Sequence, residues 1–369
     1  MKRNYLYYLL TILLVAVSCE KDVMVYTTTI ETYVTCITKT TVYCGGIISS
    51  NGNPTIKEVG VECCTTSDFE SNVSRSCADN SQANLERFLF KIADLKGATQ
   101  YYVRAYARNN YSTIYGQVLS FKTSDVEPTY LFSVSAYQFV TFSKGNLQYH
   151  PANNEWRFAE NQTDCVGDAN ANISSTYNGW LDLFCWSTSS TNFGVSTSID
   201  DDDFYGSFVD WGTNKIGNDA PNTWRTLTYD EWDYLLNNRP NASSLKGVAQ
   251  VNGVNGLILL PDNWTCPSGV TFKPGFHSND LNEDYYAVYQ TFTADQWSQL
   301  EAAGAVFLPA AGCRRGSYVG SVQYEGFYWS ATKDDSRYAY YLLVRSVGTY
   351  KGACTREHGQ SVRLVKDLQ

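Results

Sequence analysis

Apolar and polar positions divide the chain into three regimes. Residues 5–17 are almost wholly apolar, with Lys2 and Arg3 before them and the small residues Ala16 and Ser18 within and just after the run. That is the pattern of a secretory leader, and it is shorter than the roughly 20 residues a membrane-spanning helix needs. From 23 to 123 apolar and polar residues alternate in short runs: VMVYTTTIETYV, TTVYCGGIIS, IKEVGVECC, NLERFLFKIADL, QYYVRAYARN and QVLSFKT, with SNGNP as a turn. A period of two with this punctuation predicts about seven short strands over roughly 100 residues, an all-β sandwich. After Glu127-Pro128, which breaks the last strand and marks a boundary between 125 and 130, the pattern becomes mixed.

In the region 130–369 strand-like runs (FVTFSKGNLQY, NEWRFAE) give way to two helices and then to loop-rich, aromatic sequence. TYDEWDYLLNNR carries a capping box, Thr228 with Glu231, and an apolar face of Trp232, Leu235 and Leu236. TADQWSQLEAAG repeats the device with Thr293 and Gln296, turns Trp297 and Leu300 inward and stops at Gly304. AVFLPAAG, FYWSAT, YAYYLLVRS and QSVRLVKD close the region as strands. The expected fold class is an all-β sandwich followed by an α+β domain.

Charge excludes one class of partner. The net charge is −9, and loss of Lys2 and Arg3 with the leader takes it to −11. A chain this acidic lacks the basic footprint of nucleic-acid binders. Charged residues make up only 18%, whereas Tyr (28), Phe (17) and Trp (9) are abundant, the palette of modules with aromatic contact surfaces. Of eleven cysteines, Cys19 closes the leader, and the other ten would meet an oxidising compartment in which disulfides persist. No C-x-x-C spacing supports a zinc or thioredoxin-like site. Cys63 and Cys64 are neighbours whose side chains point to opposite faces of a strand, so they are read as separate residues rather than a bonded pair. The acidic run Asp200, Asp201, Asp202 and Asp203 offers hard oxygen ligands suited to calcium, the one cofactor considered, but without EF-hand spacing a solvated loop is the better account. The histidines, His150, His277 and His358, are isolated from one another, and no Ser/His/Asp set stands out. The chain is read as a non-enzyme.

Three resemblances sharpen this picture. The leader ending in Cys19 resembles a bacterial lipoprotein signal, although Ala16 stands where such signals usually carry Leu. The resemblance implies that 1–18 is removed, that Cys19 is acylated as the new N-terminus, and that 19–22 forms a tether; Glu20, Lys21 and Asp22 resemble surface-export signals of some Gram-negative anaerobes and favour an outer-membrane, surface-exposed location. LKGATQYYVRAYA, with Leu95, Gly97, Thr99 and Tyr101, resembles the tyrosine corner of fibronectin type III domains, implying that 23–125 is such a module and that the Tyr101 hydroxyl bonds a backbone group upstream. Its expected role is a spacer.

The series FSKGNLQY (142–149), WRFAE (156–160), DWGTN (210–214), WRTLTYDEWDYLL (224–236), VNGLILLPDNW (254–264), GAVFLPAAG (304–312), FYWSAT (327–332) and SVRLVKD (361–367) resembles bacterial surface domains related to the Fibrobacter-type major paralogous domain. It is also similar to the C-type-lectin-like fold of formylglycine-generating-enzyme relatives and of variable proteins of diversity-generating retroelements. The enzymes of that group use a cysteine pair; Cys313 and Cys354 lie in the corresponding part but in no matching context. In the variable proteins the C-terminal end displays diversified residues. By that resemblance Tyr318, Asp334, Asp335, Arg337, Tyr338, Arg345, Tyr350, Arg356 and His358, most of them in an irregular segment 333–360 around YAYYLLV, are expected to contact a protein or glycan ligand. The expected function is a lipid-anchored adhesin or receptor, with a scaffold component of a surface assembly or nutrient-uptake complex as the alternative.

Overall fold

A computed structural model describes residues 28–50, 56–79, 86–125, 130–187, 195–199, 206–278 and 284–368. Cys19, residues 51–54 of the SNGNP turn, Glu127-Pro128 and Asp200–Asp203 lie outside the described residues. Strand is the dominant element throughout.

The first domain is a two-sheet sandwich of fibronectin type III-like fold. Its strands are β1 (Thr28–Ile37), β2 (Val42–Ser50), β3 (Glu58–Cys64), β4 (Ser74–Asp79), β5 (Arg87–Ile92), β6 (Gln100–Arg108), β7 (Thr113–Tyr115) and β8 (Leu119–Lys122). One sheet has the order β1-β2-β5; the other runs β4-β3-β6-β7, with β8 also pairing β6. The alternation in β6 sends Tyr101, Val103, Ala105 and Ala107 into a core shared with Val42, Cys44, Val61 and Phe121. The sheets approach so closely that a Cβ on Gly46 would fall 2.9 Å from the Ala105 Cβ of the facing sheet. Tyr101 is buried and its hydroxyl accepts the Lys96 N–H at 2.9 Å, the tyrosine-corner bond. Cys63 faces this core, whereas the Cys64 thiol donates to the Thr66 carbonyl at 2.7 Å, as opposite strand faces require. Strands β4 and β7 were not expected. SRSCAD has little apolar character, and it becomes a strand because β3 offers its free edge, Gly60 opposite Cys77.

The second domain builds four small sheets around short helices. Its strands are β9 (Phe132–Ser135), β10 (Gln138–Phe142), β11 (Leu147–His150), β12 (Glu155–Phe158), β13 (Arg225–Thr226), β14 (Lys246–Val251), β15 (Val254–Leu259), β16 (Thr291–Phe292), β17 (Val306–Pro309), β18 (Ala311–Arg315), β19 (Tyr318–Val322), β20 (Gly326–Lys333), β21 (Tyr338–Arg345), β22 (Gly348–Thr355) and β23 (Leu364–Asp367). The sheets run β13-β23-β10-β9, β11-β12, β16-β14-β15-β17 and β19-β18-β20-β21-β22. Pairing of β10 with β23, Val140 opposite Asp367, places the two ends of the domain side by side.

Helices α1 (Tyr229–Asp233) and α3 (Ala294–Ala302) both open on the expected capping boxes. Helix α1 continues as a single π turn over Tyr234–Asn238, which carries Leu235 and Leu236 into the core beside Trp232. Gly304 ends the α3 segment at φ +95°, where a Cβ would also strike the Tyr130 ring. The periodicity did not suggest α2 (Asp284–Tyr289), held by buried Tyr286, whose hydroxyl donates to the Tyr324 carbonyl at 3.0 Å.

Polar pins join several of these elements. Asp210 of DWGTN accepts Gly212 N–H at 2.9 Å and Thr226 N–H at 2.8 Å. Arg225 bridges Glu231 (2.7 Å) and Asp367 (2.8 Å), joining α1 to β23. Arg239, wholly buried, donates to Asp262 at 2.8 Å and to the Leu260 carbonyl at 2.9 Å. A buried charge is tolerable only when so satisfied, which is why these residue types stand at these places.

The two domains are docked against each other. Cys36, Leu131 and Phe139 form a buried cluster with Tyr43, Leu89 and Leu368 around it. Thr35 Oγ1 donates to the Tyr137 carbonyl at 3.0 Å, and the Arg87 guanidinium lies between the Tyr33 and Tyr137 rings at 4.6 and 4.5 Å.

Candidate binding surface

The segment 333–360 is more regular than its sequence suggests: β21 and β22 form a hairpin paired from Tyr338–Thr355 to Arg345–Gly348. This corrects the expectation of an irregular display segment. Gly348 and Gly352 give β22 its loop-like composition, and their missing side chains are covered by rings, since a Cβ on Gly352 would meet Tyr341 at 2.6 Å and one on Gly348 would meet Tyr350 at 3.2 Å.

Alternation on the hairpin sorts its residues onto two faces. On one, Leu342 and Val344 enter the main core, and Tyr340 extends outward to meet the Tyr229 ring, with centroids 4.3 Å apart and the planes tilted by 42°. Lys351 lies 4.1 Å from the Tyr229 ring and pairs with Asp233 at 2.8 Å. The Tyr340 hydroxyl donates to Asp334, and Tyr338, 37% exposed, stands at the end of this row. On the opposite face, Arg345 donates to Glu325 at 2.6 Å with its guanidinium 6.0 Å from the Tyr350 ring, and Tyr350 is 47% exposed.

Of the nine expected contact residues, the structure gathers five at one end of β21. Asp334, Asp335, Arg337 and Tyr338 surround the turn into β21. Asp335 Oδ1 accepts the Arg337 and Tyr338 N–H groups at 2.6 and 2.8 Å, which holds its carboxyl below the usual range. His358 is partly exposed nearby, its ring set against Thr355 at 3.1 Å and Glu357 at 3.3 Å. Arg345 and Tyr350 lie at the other end on the other face. Tyr318, 74% exposed, is on β19, at the far edge of the five-stranded sheet from β22. Arg356 is a correction: it is 3% exposed, its guanidinium sits 4.5 Å from the Trp186 ring, and it donates to the Asp335 carbonyl at 2.6 Å. Its charge is spent holding the turn from beneath. Tyr229, Asp233, Tyr340 and Lys351 were missed; the period-two pattern of β21 was the only signal for Tyr340, and tertiary packing alone brings Tyr229 to it.

The other candidate chemistry can be placed as well. All ten cysteines from Cys36 to Cys354 are free thiols. Burial pushes Cys313 up to about 11 and Cys354 further, so neither holds a thiolate near neutrality. The calcium candidates Asp200, Asp201, Asp202 and Asp203 fall outside the described residues, among which no group of three or more His, Cys, Asp or Glu side chains could hold a metal ion. No helix of the described residues is long and apolar enough to cross a membrane.

No family model matches the sequence, and comparison with curated proteins gives no match. Among solved structures the chain is similar to the sensor domain of the anti-sigma factor RsgI4 of Pseudobacteroides cellulosolvens, at 19% identity over 27% of this chain and 96% of that one, TM-score 0.23. It is similar to the sixth fibronectin type III domain of human fibronectin type III domain containing protein 3, at 19% identity over 27% and 85%, TM-score 0.21. It is also similar to the FN1–FN3 domains of chicken CNTN1, at 14% identity over 26% and 31%, TM-score 0.21.

Proposed function

We propose that this chain is an exported protein anchored through a lipid on Cys19, whose second domain, of the lectin-like kind its motifs resemble, binds a protein or glycan partner through the Tyr338 end of the β21–β22 hairpin. The observation that carries the reading is the cluster of Tyr338, Tyr340 and Tyr229 with Lys351, Asp334 and Asp335 on a paired, turn-capped hairpin. Tyrosine offers large contact area at low entropic cost, and neighbouring charges of both signs supply orientation. In this reading the fibronectin-like domain is a rigid base for the second domain, because the two are packed through Phe139.

Two measurements test the proposal. Cys19→Ala should move the protein from the membrane fraction to the soluble one, and intact mass of the wild type should show the lipid. The mature chain applied to arrays of glycans and cell-surface proteins should find a ligand whose binding is lost in Tyr338→Ala and Tyr340→Ala. Ligand capture untouched by both changes would move the surface elsewhere.

A further inference from the structure

The second domain carries two adjoining hollows that the hairpin reading does not use. The first, about 560 Å3, has a floor of Phe158, Ile216 and Trp224 and a rim of Lys144, Glu160, Asn218 and Asp219. The second, about 580 Å3, is walled by Trp180 with Gln148, Asp164, Asn252 and Gln323. Arg157 lines both. Each volume falls within the roughly 300–1,000 Å3 of small-molecule sites.

Both aromatic walls are fixed in place. Trp224 donates its Nε1–H to Asp219 at 2.9 Å and meets Phe158 edge-on at 5.0 Å. Trp180 is stacked by the Arg157 guanidinium at 3.8 Å, and Arg157 is itself held by Gln148 Oε1 at 2.9 Å and Glu160 at 3.6 Å. The first hollow therefore pairs the half-buried Trp224 with a ring of amides and charges, and in the second the Arg157 guanidinium covers the Trp180 ring, with His150 edge-on to it at 5.1 Å.

The charge pattern selects the ligand class. At the first hollow Lys144 and Arg157 are balanced by Glu160 and Asp219. An anion would face two carboxylates, a cation would face two basic groups, and an apolar chain would strip water from all four without replacing its hydrogen bonds. A neutral ring with C–H groups on its face and hydroxyls on its edge satisfies both parts at once, its face against the indole and its hydroxyls on the amides and charges. We propose that these adjoining hollows bind a neutral oligosaccharide, with Trp224 as the platform for one sugar unit and Arg157, seated on the Trp180 ring, as the hydrogen-bond donor to the next. The site shares no residue with the hairpin surface and stands independently of it.

The test uses the mature full-length chain in affinity gel electrophoresis against soluble xylan, mannan, laminarin and dextran, with polygalacturonate and heparin as anionic polymers. Retention by at least one neutral polymer is expected, followed by calorimetry with its oligosaccharides. Trp224→Ala and Trp180→Ala should each weaken binding at least about thirtyfold, the size of an interface hot spot. Because either change also removes packed surface, Lys144→Ala with Asn218→Ala, both exposed positions, provides a second arm that should keep the wild-type melting temperature and weaken binding about tenfold. Tyr338→Ala should leave retention unchanged. The inference is overturned if no neutral polymer is retained, if only the anionic polymers are, if the Lys144/Asn218 double variant binds as the wild type, or if Tyr338→Ala abolishes retention.

Discussion

Tyr43 and Phe139 meet with ring centroids 4.5 Å apart across the junction between the two domains. Each ring belongs to a different sheet system, and the buried Cys36 and Leu131 pack beside them. The domains should therefore unfold as a coupled pair. One calorimetric transition is expected for the full chain, and Phe139→Ala, which removes a ring only 5% exposed, should cost about 3–5 kcal/mol and separate two transitions. Two separate transitions in the wild type would remove the coupling.

Arg356 and Tyr338 should respond oppositely to truncation. The buried Arg356 packs on Trp186 and holds the Asp335 carbonyl, so Arg356→Ala should destabilise the second domain by roughly 1–3 kcal/mol. Tyr338→Ala, at an exposed position, should stay within about 0.5 kcal/mol in chemical denaturation. An Arg356 variant as stable as the wild type would return that residue to the surface.

The contrast shows where sequence reading succeeds and stops. Thr228 with Glu231, and Thr293 with Gln296, were legible because a capping box is made by residues three apart. The Tyr101 corner was legible for the same reason, its partner Lys96 being five residues away. Arg356 was misplaced because an arginine in a segment rich in Ser, Gly and charge reads as solvated, and only Trp186, distant in sequence, gives it a burial site. Strand β4 was invisible because SRSCAD buries almost nothing and owes its form to the ladder of β3. The hollows beside Arg157 draw on residues from 142 to 323, and no local pattern announces such convergence.

Tyr101→Phe isolates the corner bond. The ring keeps its place against Phe121, 5.7 Å between centroids, while the Lys96 N–H loses its acceptor. A loss of about 1–2 kcal/mol is expected, and because the domains are coupled it should lower the single transition. No change in stability would show that water replaces the hydroxyl without cost.

Asp182 gives a pH dependence of unusual sign. Burial raises its carboxyl to about 6 from 3.8, despite hydrogen bonds from Asn170 Nδ2 at 2.8 Å and Val166 N–H at 2.9 Å. The folded state then holds a proton that the unfolded chain releases near pH 4, so the stabilising contribution is present at low pH and is lost as pH rises through 6. The difference between the folded and unfolded ionisation corresponds to roughly 3 kcal/mol. The stability of the wild type relative to Asp182→Asn, measured by denaturation at pH 4 and pH 7, should fall by an amount of this order. Equal differences at the two pH values would place the Asp182 ionisation in the ordinary range.

Among the described residues no carboxylate pairs with Arg363, although it is only 1% exposed. It donates to Gln162 Oε1 at 2.5 Å and to the Phe307 carbonyl at 3.3 Å, and Gln162 in turn donates to Glu301 Oε1 at 2.8 Å. The amide thus stands between the buried cation and its nearest acid, while also accepting the Phe307 N–H at 2.8 Å and donating to the Ala305 carbonyl at 3.1 Å. Burial draws Arg363 down to about 10, the mark of a charge poorly compensated by its surroundings. Gln162→Leu should therefore be severe: it removes the shortest acceptor of a buried guanidinium and leaves two backbone groups unpaired, a loss of about 3–5 kcal/mol. Glu301→Gln keeps a hydrogen-bond acceptor for Gln162 and should cost less than about 1 kcal/mol. Chemical denaturation of the two variants decides the matter, and equal effects would mean that the acid, not the amide, supports Arg363.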